Sequence, residues 1–161
     1  MFWTWRKRVP AQTIANELLL QMCSGDLKDS LKYMTVTPES KTAAAAKTQL
    51  YQFACLLLAV LSEEQRVRQY SSVRVYLEAH FFPPSAGQGI NILGEVKAAM
   101  DDISHLLDPN KKQHQMRWSM KWLASVGIDE SNPATLALFA IRWLAHFSAV
   151  SKVLRRFKPV A

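Results

Sequence analysis

Cysteine is scarce in this chain: Cys23 and Cys55 are the only two in 161 residues. Two thiols make no disulfide framework. Each also sits in or beside an apolar run, so both are read as buried free thiols of a reducing compartment. Five glycines and seven prolines are few as well, which excludes a collagen-like or linker-rich chain and argues against a turn-rich all-β fold. No stretch approaches ~20 uninterrupted apolar residues. The best, residues 43–61, is broken by Lys47, Gln49 and Gln52. A secretory pattern is missing too, because Arg6, Lys7 and Arg8 lead into Gln12, Thr13, Asn16, Glu17 and Gln21 rather than into an apolar segment with a small-residue cleavage site. The expectation is a soluble, cytoplasmic protein.

What is present is the composition of a packed domain, 49% apolar and 20% charged. A chain of this length is read as one domain, since ~150 residues bury about 70% of the unfolded surface. Its apolar periodicity is helical almost throughout. Pro10 suits a first helical position, and Ile14, Leu18 and Met22 follow at four-residue spacing up to Gly25. Asp26 can cap a short helix with Leu27, Leu31 and Met34, and Thr37 and Pro38 open a longer one through Ala46, Leu50, Phe53, Leu57 and Val60. Ser62, Glu63, Glu64 and Gln65 have the form of a capping box, marking either a new helix or a kink. Residues 72–77 alternate like a strand, but Val67, Tyr70, Leu77 and Phe81 share one helical side, so residues 67–82 are read as helix. Pro83, Pro84, Gly87 and Gly89 mark a loop.

Beyond that loop, Asn91 can cap a helix carrying Leu93, Val96, Met100, Ile103 and Leu107. Asp108 and Pro109 can launch the next, ended by Gly127. Asn132 and Pro133 repeat the start signal for a last helix reaching about Phe157. The predicted architecture is an all-α, single-domain bundle of about seven helices over residues 10–161, preceded by a basic and aromatic segment, residues 1–9.

Catalytic signatures are absent. The glycine run at Gly87 and Gly89 begins like a dinucleotide fingerprint, but Ile92 stands at the third glycine position and no strand precedes it. A di-iron bundle needs two Glu-x-x-His pairs. The nearest approach is Asp102 with His105, and Asp101 and His105 are better read as a surface pair. No metal site, cofactor or catalytic residue is assigned, and the protein is expected not to be an enzyme. His146, between Trp143 and Phe147, has the placement of a haem ligand but is read as a locally satisfied core or boundary histidine. With Arg142, these residues form a candidate interhelical pocket. Arg142 and Arg74 both fall near apolar faces, where each needs a carboxylate or carbonyl partner.

The charge is uneven. Residues 1–8 carry +3, residues 9–108 carry 8 basic against 11 acidic side chains, and residues 109–161 carry 9 basic against Asp129 and Glu130. The segment that begins with Lys111 and Lys112 places His114, Arg117 and Lys121 on one basic stripe, with Trp118 and Trp122 beside it, that can grip phosphates or seat an acidic partner. Arg155 and Arg156 add cations at a helix C-terminus, where the macrodipole favours them. Phe2, Trp3 and Trp5 ahead of Arg6, Lys7 and Arg8 have the pattern of a weak interfacial membrane anchor. The leading expectation is a helical adaptor or regulator that docks an acidic protein through one basic, Trp-containing face, Lys111 to Lys121 together with Arg155 and Arg156. A homo-oligomer is a further candidate state. The alternatives are a nucleic-acid-binding accessory protein using the same face, and a ligand- or haem-binding sensor using the interhelical pocket.

Overall fold

A computed structural model describes residues 5–22, 26–81, 89–108, 110 and 114–160. Its elements in chain order are β1 (Lys7–Pro10), α1 (Ala11–Gln21), the one-turn α2 (Asp26–Asp29), α3 (Pro38–Glu64), α4 (Tyr70–Phe81), α5 (Gly89–Leu107), α6 (Gln115–Ser125), α7 (Pro133–Arg156) and β2 (Phe157–Val160). Among the described residues the protein is all-α apart from one two-stranded ribbon, in which β1 and β2 run parallel.

Local start signals explain the two longest helices. At α3 the Thr37 hydroxyl accepts from Ser40 N at 3.2 Å, with Pro38 in the first turn. At α7 Asn132 Oδ1 accepts from Ala134 N at 2.9 Å and Thr135 N at 3.4 Å, with Pro133 next. Gly127 closes α6 at φ +77°, a left-handed geometry that disfavours any side chain. There is no room for one either, since a Cβ there would lie 2.9 Å from Ser40 Oγ, which itself donates to Gly127 O at 3.1 Å.

Other boundaries differ from expectation. Ser62 to Gln65 starts no helix, because α3 runs through Glu64 before the chain turns. Residues 72–77 lie inside α4, as read, but Val67 stands outside it in the preceding turn. Asn91 falls within α5 rather than at its cap. Asp108 Oδ1 accepts from Asn110 N at 2.9 Å in a short turn, yet α6 begins only at Gln115. Pro10 precedes α1 as the last residue of β1, and α7 stops one residue before Phe157 because the backbone there turns extended. Phe2, Trp3, Cys23, Gly25, the residues 82–88 of the loop, Pro109, Lys111 and Lys112 lie outside the described residues.

The middle of α3 is the axis of the bundle, with Phe53, Ala54, Cys55, Leu56 and Val60 buried. One apolar cluster joins it to α5, α6 and the first half of α7. A second joins it to α1, α4 and the end of α7. By length and composition α3 and α7 could each cross a membrane; α3 is mostly buried here and α7 about one-third.

Candidate functional site

The basic stripe of α6 forms one wall of a cleft against the end of α5. Its volume is about 280 Å³, and it is lined by Asp102, His105 and Leu106 on one side and by His114, Gln115, Arg117, Trp118 and Lys121 on the other. The spacing of His114, Arg117 and Lys121 puts them on one helical stripe, and all three are exposed. Residues 118, 119, 122 and 123 take the buried side of α6.

Trp118 and Trp122 belong to that buried side. Trp118 is only 8% exposed and Trp122 only 1%, so neither indole presents a free face for stacking on a base. Trp118 forms the floor of the cleft, and its Nε1 donates to Asp102 O at 3.2 Å. Tyr51 of α3 stands below, meeting Trp118, Trp122 and Trp143 edge-on at 6.3, 5.9 and 5.8 Å between ring centroids. Its hydroxyl donates to Asp102 Oδ2 at 2.6 Å. Burial, followed by this bond to Asp102, raises the Tyr51 pKa far above its usual value, so the phenol stays protonated as a donor. One tyrosine thus holds the acidic wall of the cleft to the aromatic core.

Lys47 closes the far side of this aromatic group. Its ammonium lies 5.2 Å from the Tyr51 ring centroid and 5.0 Å from that of Trp122, and it also donates to Ser125 Oγ. Burial lowers its pKa, with Asp102 opposing. The sequence held no signal for this lysine beyond its position as an interruption in an apolar run.

Arg155 and Arg156 do not join the cleft. Trp118 meets Trp143 at 6.4 Å, and Arg155 follows Trp143 by 12 residues, about 18 Å along the α7 axis at 1.5 Å per residue. The two arginines instead stand at the end of α7 beside the ribbon, where Arg8 of β1 is registered with Lys158 of β2. The single basic face expected from the charge count is therefore two separate basic clusters.

The residues of the expected interhelical pocket also part company. Trp143 is in the core and Phe147 packs partly buried against both apolar clusters. Arg142 and His146 face a different cleft, of about 420 Å³, with Gln21, Leu27, Asp29, Ala145 and Ala149. Arg142 NH1 donates to Ser30 Oγ at 3.1 Å. His146 is 6% exposed, and its Nε2 has no hydrogen-bond partner among the described residues. Burial lowers its pKa to about 4, so the ring is neutral at pH 7.

Arg74 is held by Glu64 at 2.9 and 3.3 Å and by Glu78 at 3.2 Å, a structural ion pair at the foot of α4. Cys55 is buried, and desolvation raises its thiol pKa well above the usual range, which leaves it unreactive. Among the described residues no three His, Cys, Asp or Glu side chains come together as a metal-ligand group. No protein-family model, curated protein or solved structure matches the chain.

Proposed function

We propose that the protein is a non-enzymatic, cytoplasmic interaction module, an adaptor or regulator that docks an acidic protein segment in the α5–α6 cleft. The observation that carries this reading is the cleft itself: Arg117, Lys121, His105 and His114 stand around an apolar floor of Trp118 and Leu106, and its one lining carboxylate, Asp102, accepts from the Tyr51 hydroxyl. Such a site suits a peptide with one apolar anchor flanked by carboxylates. The anchor gains by leaving water, and Arg117 and Lys121 on the rim fix its register. Trp118 is tied to Asp102 and braced by Tyr51, which supports a pre-formed floor and a small ordering cost on this side.

The test is fluorescence anisotropy with a labelled Asp/Glu-rich peptide carrying a single Leu or Phe, against wild type and an Arg117→Glu, Lys121→Glu double variant. Micromolar binding that weakens with salt and drops at least about tenfold in the variant is expected. No binding at low salt, or equal binding to both proteins, overturns the reading. Tighter binding of a duplex or single-stranded oligonucleotide, lost in the same variant, would move the assignment to nucleic acid.

A second reading, a small-ligand sensor, rests on the unpartnered Nε2 of His146 beside the 420 Å³ cleft. Added haem that produces a Soret band, or raises the melting temperature of wild type but not of His146→Leu, would support it. An unresponsive, colourless sample would end it.

A further inference from the structure

The β1–β2 ribbon brings together cations that lie about as far apart in sequence as the chain allows. In its register Arg8 stands opposite Lys158, Val9 opposite Pro159 and Pro10 opposite Val160. Val9 and Pro159 are buried and turned inward, so strand alternation turns Arg8 and Lys158 outward together, with Pro10 and Val160 on the same side. Like charges directly opposite one another destabilise a ladder. Arg155 and Arg156, both exposed, end α7 immediately before β2.

Neighbouring acids do not neutralise this group. Glu63 is taken by Arg6 at 2.8 Å and Glu64 by Arg74 at 2.9 Å. None of Lys7, Arg8, Arg155, Arg156 and Lys158 forms an ion pair among the described residues. Trp5, two residues ahead of the ribbon, is 96% exposed, and Val160 is 41% exposed. An exposed indole beside these unpaired cations is a local conflict of the kind found where a surface is kept for a partner.

We infer that this terminal ribbon is a docking surface for an anionic lipid bilayer. Arg8, Lys158, Arg155 and Arg156 would meet headgroup phosphates and carboxylates, while Trp5 sits at the headgroup level with Pro10 and Val160 against the acyl boundary. A flat bilayer is favoured over a nucleic-acid strand because the outward face interleaves its cations with aliphatic Pro10 and Val160, which offer nothing to a phosphodiester chain. Each cation near such a surface contributes roughly a fivefold factor in partitioning, so the cluster is strong enough to matter and weak enough to be reversible.

The experiment is co-sedimentation of the full chain with phosphatidylcholine vesicles prepared with and without phosphatidylserine. Binding only to the phosphatidylserine vesicles is expected, declining with salt and accompanied by a blue shift of tryptophan emission that Trp5→Ala removes. Arg8→Glu with Lys158→Glu should cut partitioning by about 30-fold or more, and Arg8→Lys with Lys158→Arg should retain it. Because reversal within the ribbon could disturb its pairing, Arg155→Glu with Arg156→Glu, on the helix end, provides the same readout with far-UV circular dichroism as the folding control. No preference for phosphatidylserine, binding indifferent to both reversals, or an oligonucleotide that outcompetes the vesicles through the same residues would each overturn the inference. Failure here leaves the α5–α6 cleft untouched, since that site is probed by Arg117 and Lys121.

Discussion

His146 shows what a single buried titratable group costs. Its ordinary pKa is ~6.5, and burial on α7 holds the folded value at about 4. Between those two values the unfolded chain takes up a proton that the folded chain refuses, so stability falls as pH drops through this window and is fully restored above it. Arg142 and Asp29 share its cleft, and burial is what lowers the His146 value. Over pH 7 to pH 5 the loss from this group amounts to about 2 kcal/mol. Urea unfolding at the two pH values should show that slope in wild type and lose most of it in His146→Leu, which also removes the unpartnered Nε2. An unchanged slope in the variant would mean that the ring is solvated. The sequence identified His146 as a residue on the margin of an apolar helix face. It contained nothing about Asp29 and Gln21, which reach the same cleft from the α1–α2 region.

At the scale of elements, what is encoded locally was legible and what depends on remote pairing was not. The caps at Thr37 and Asn132, the stop at Gly127 and the helical side of residues 72–77 all depend on neighbours within one turn. They read correctly from residue type and spacing. The ribbon depends on residues 7–10 finding residues 157–160, and each strand holds a proline, which argues against strand in isolation. Its anchor is Tyr70, fully buried on α4, whose hydroxyl is shared between Leu154 O at 2.8 Å and Phe157 O at 2.5 Å. Arg6 NH1 stands 3.5 Å from the same oxygen, so one tyrosine ties together α4, the end of α7 and the strand that follows. Tyr70→Phe leaves two buried or half-buried carbonyls without this donor and should destabilise the fold by about 1–3 kcal/mol. Hydrogen exchange should accelerate at residues 157–160 while the amides of α6 keep their protection. Uniform loss of protection would show that the ribbon and bundle open as one unit.

For the whole molecule, charge counted along the sequence misled because α7 is long. Its 24 residues span about 36 Å, so the cations of α6, whose Trp118 meets Trp143 near the middle of this rod, are held apart from Arg155 and Arg156 at its C-terminal end. The cleft of His114, Arg117 and Lys121 was half visible in the spacing on α6. Its other wall, Asp102, His105 and Leu106, was not, because no periodicity on α5 says which helix it will face. The terminal cluster was visible only as two unrelated fragments. Its distance from the cleft has a measurable consequence. At physiological ionic strength the screening length is about 8 Å, less than half of the ~18 Å of α7 axis between Trp143, which meets Trp118 of the cleft, and Arg155. They should therefore act independently. Arg117→Glu with Lys121→Glu is expected to abolish acidic-peptide binding and leave phosphatidylserine partitioning within about twofold, and Arg155→Glu with Arg156→Glu is expected to do the reverse. Combining all four substitutions should multiply the separate effects. Cross-effects larger than about fivefold at physiological salt would show a single continuous surface, with a partner wrapping the end of α7 to reach both clusters at once, because screened charges alone cannot couple over that distance.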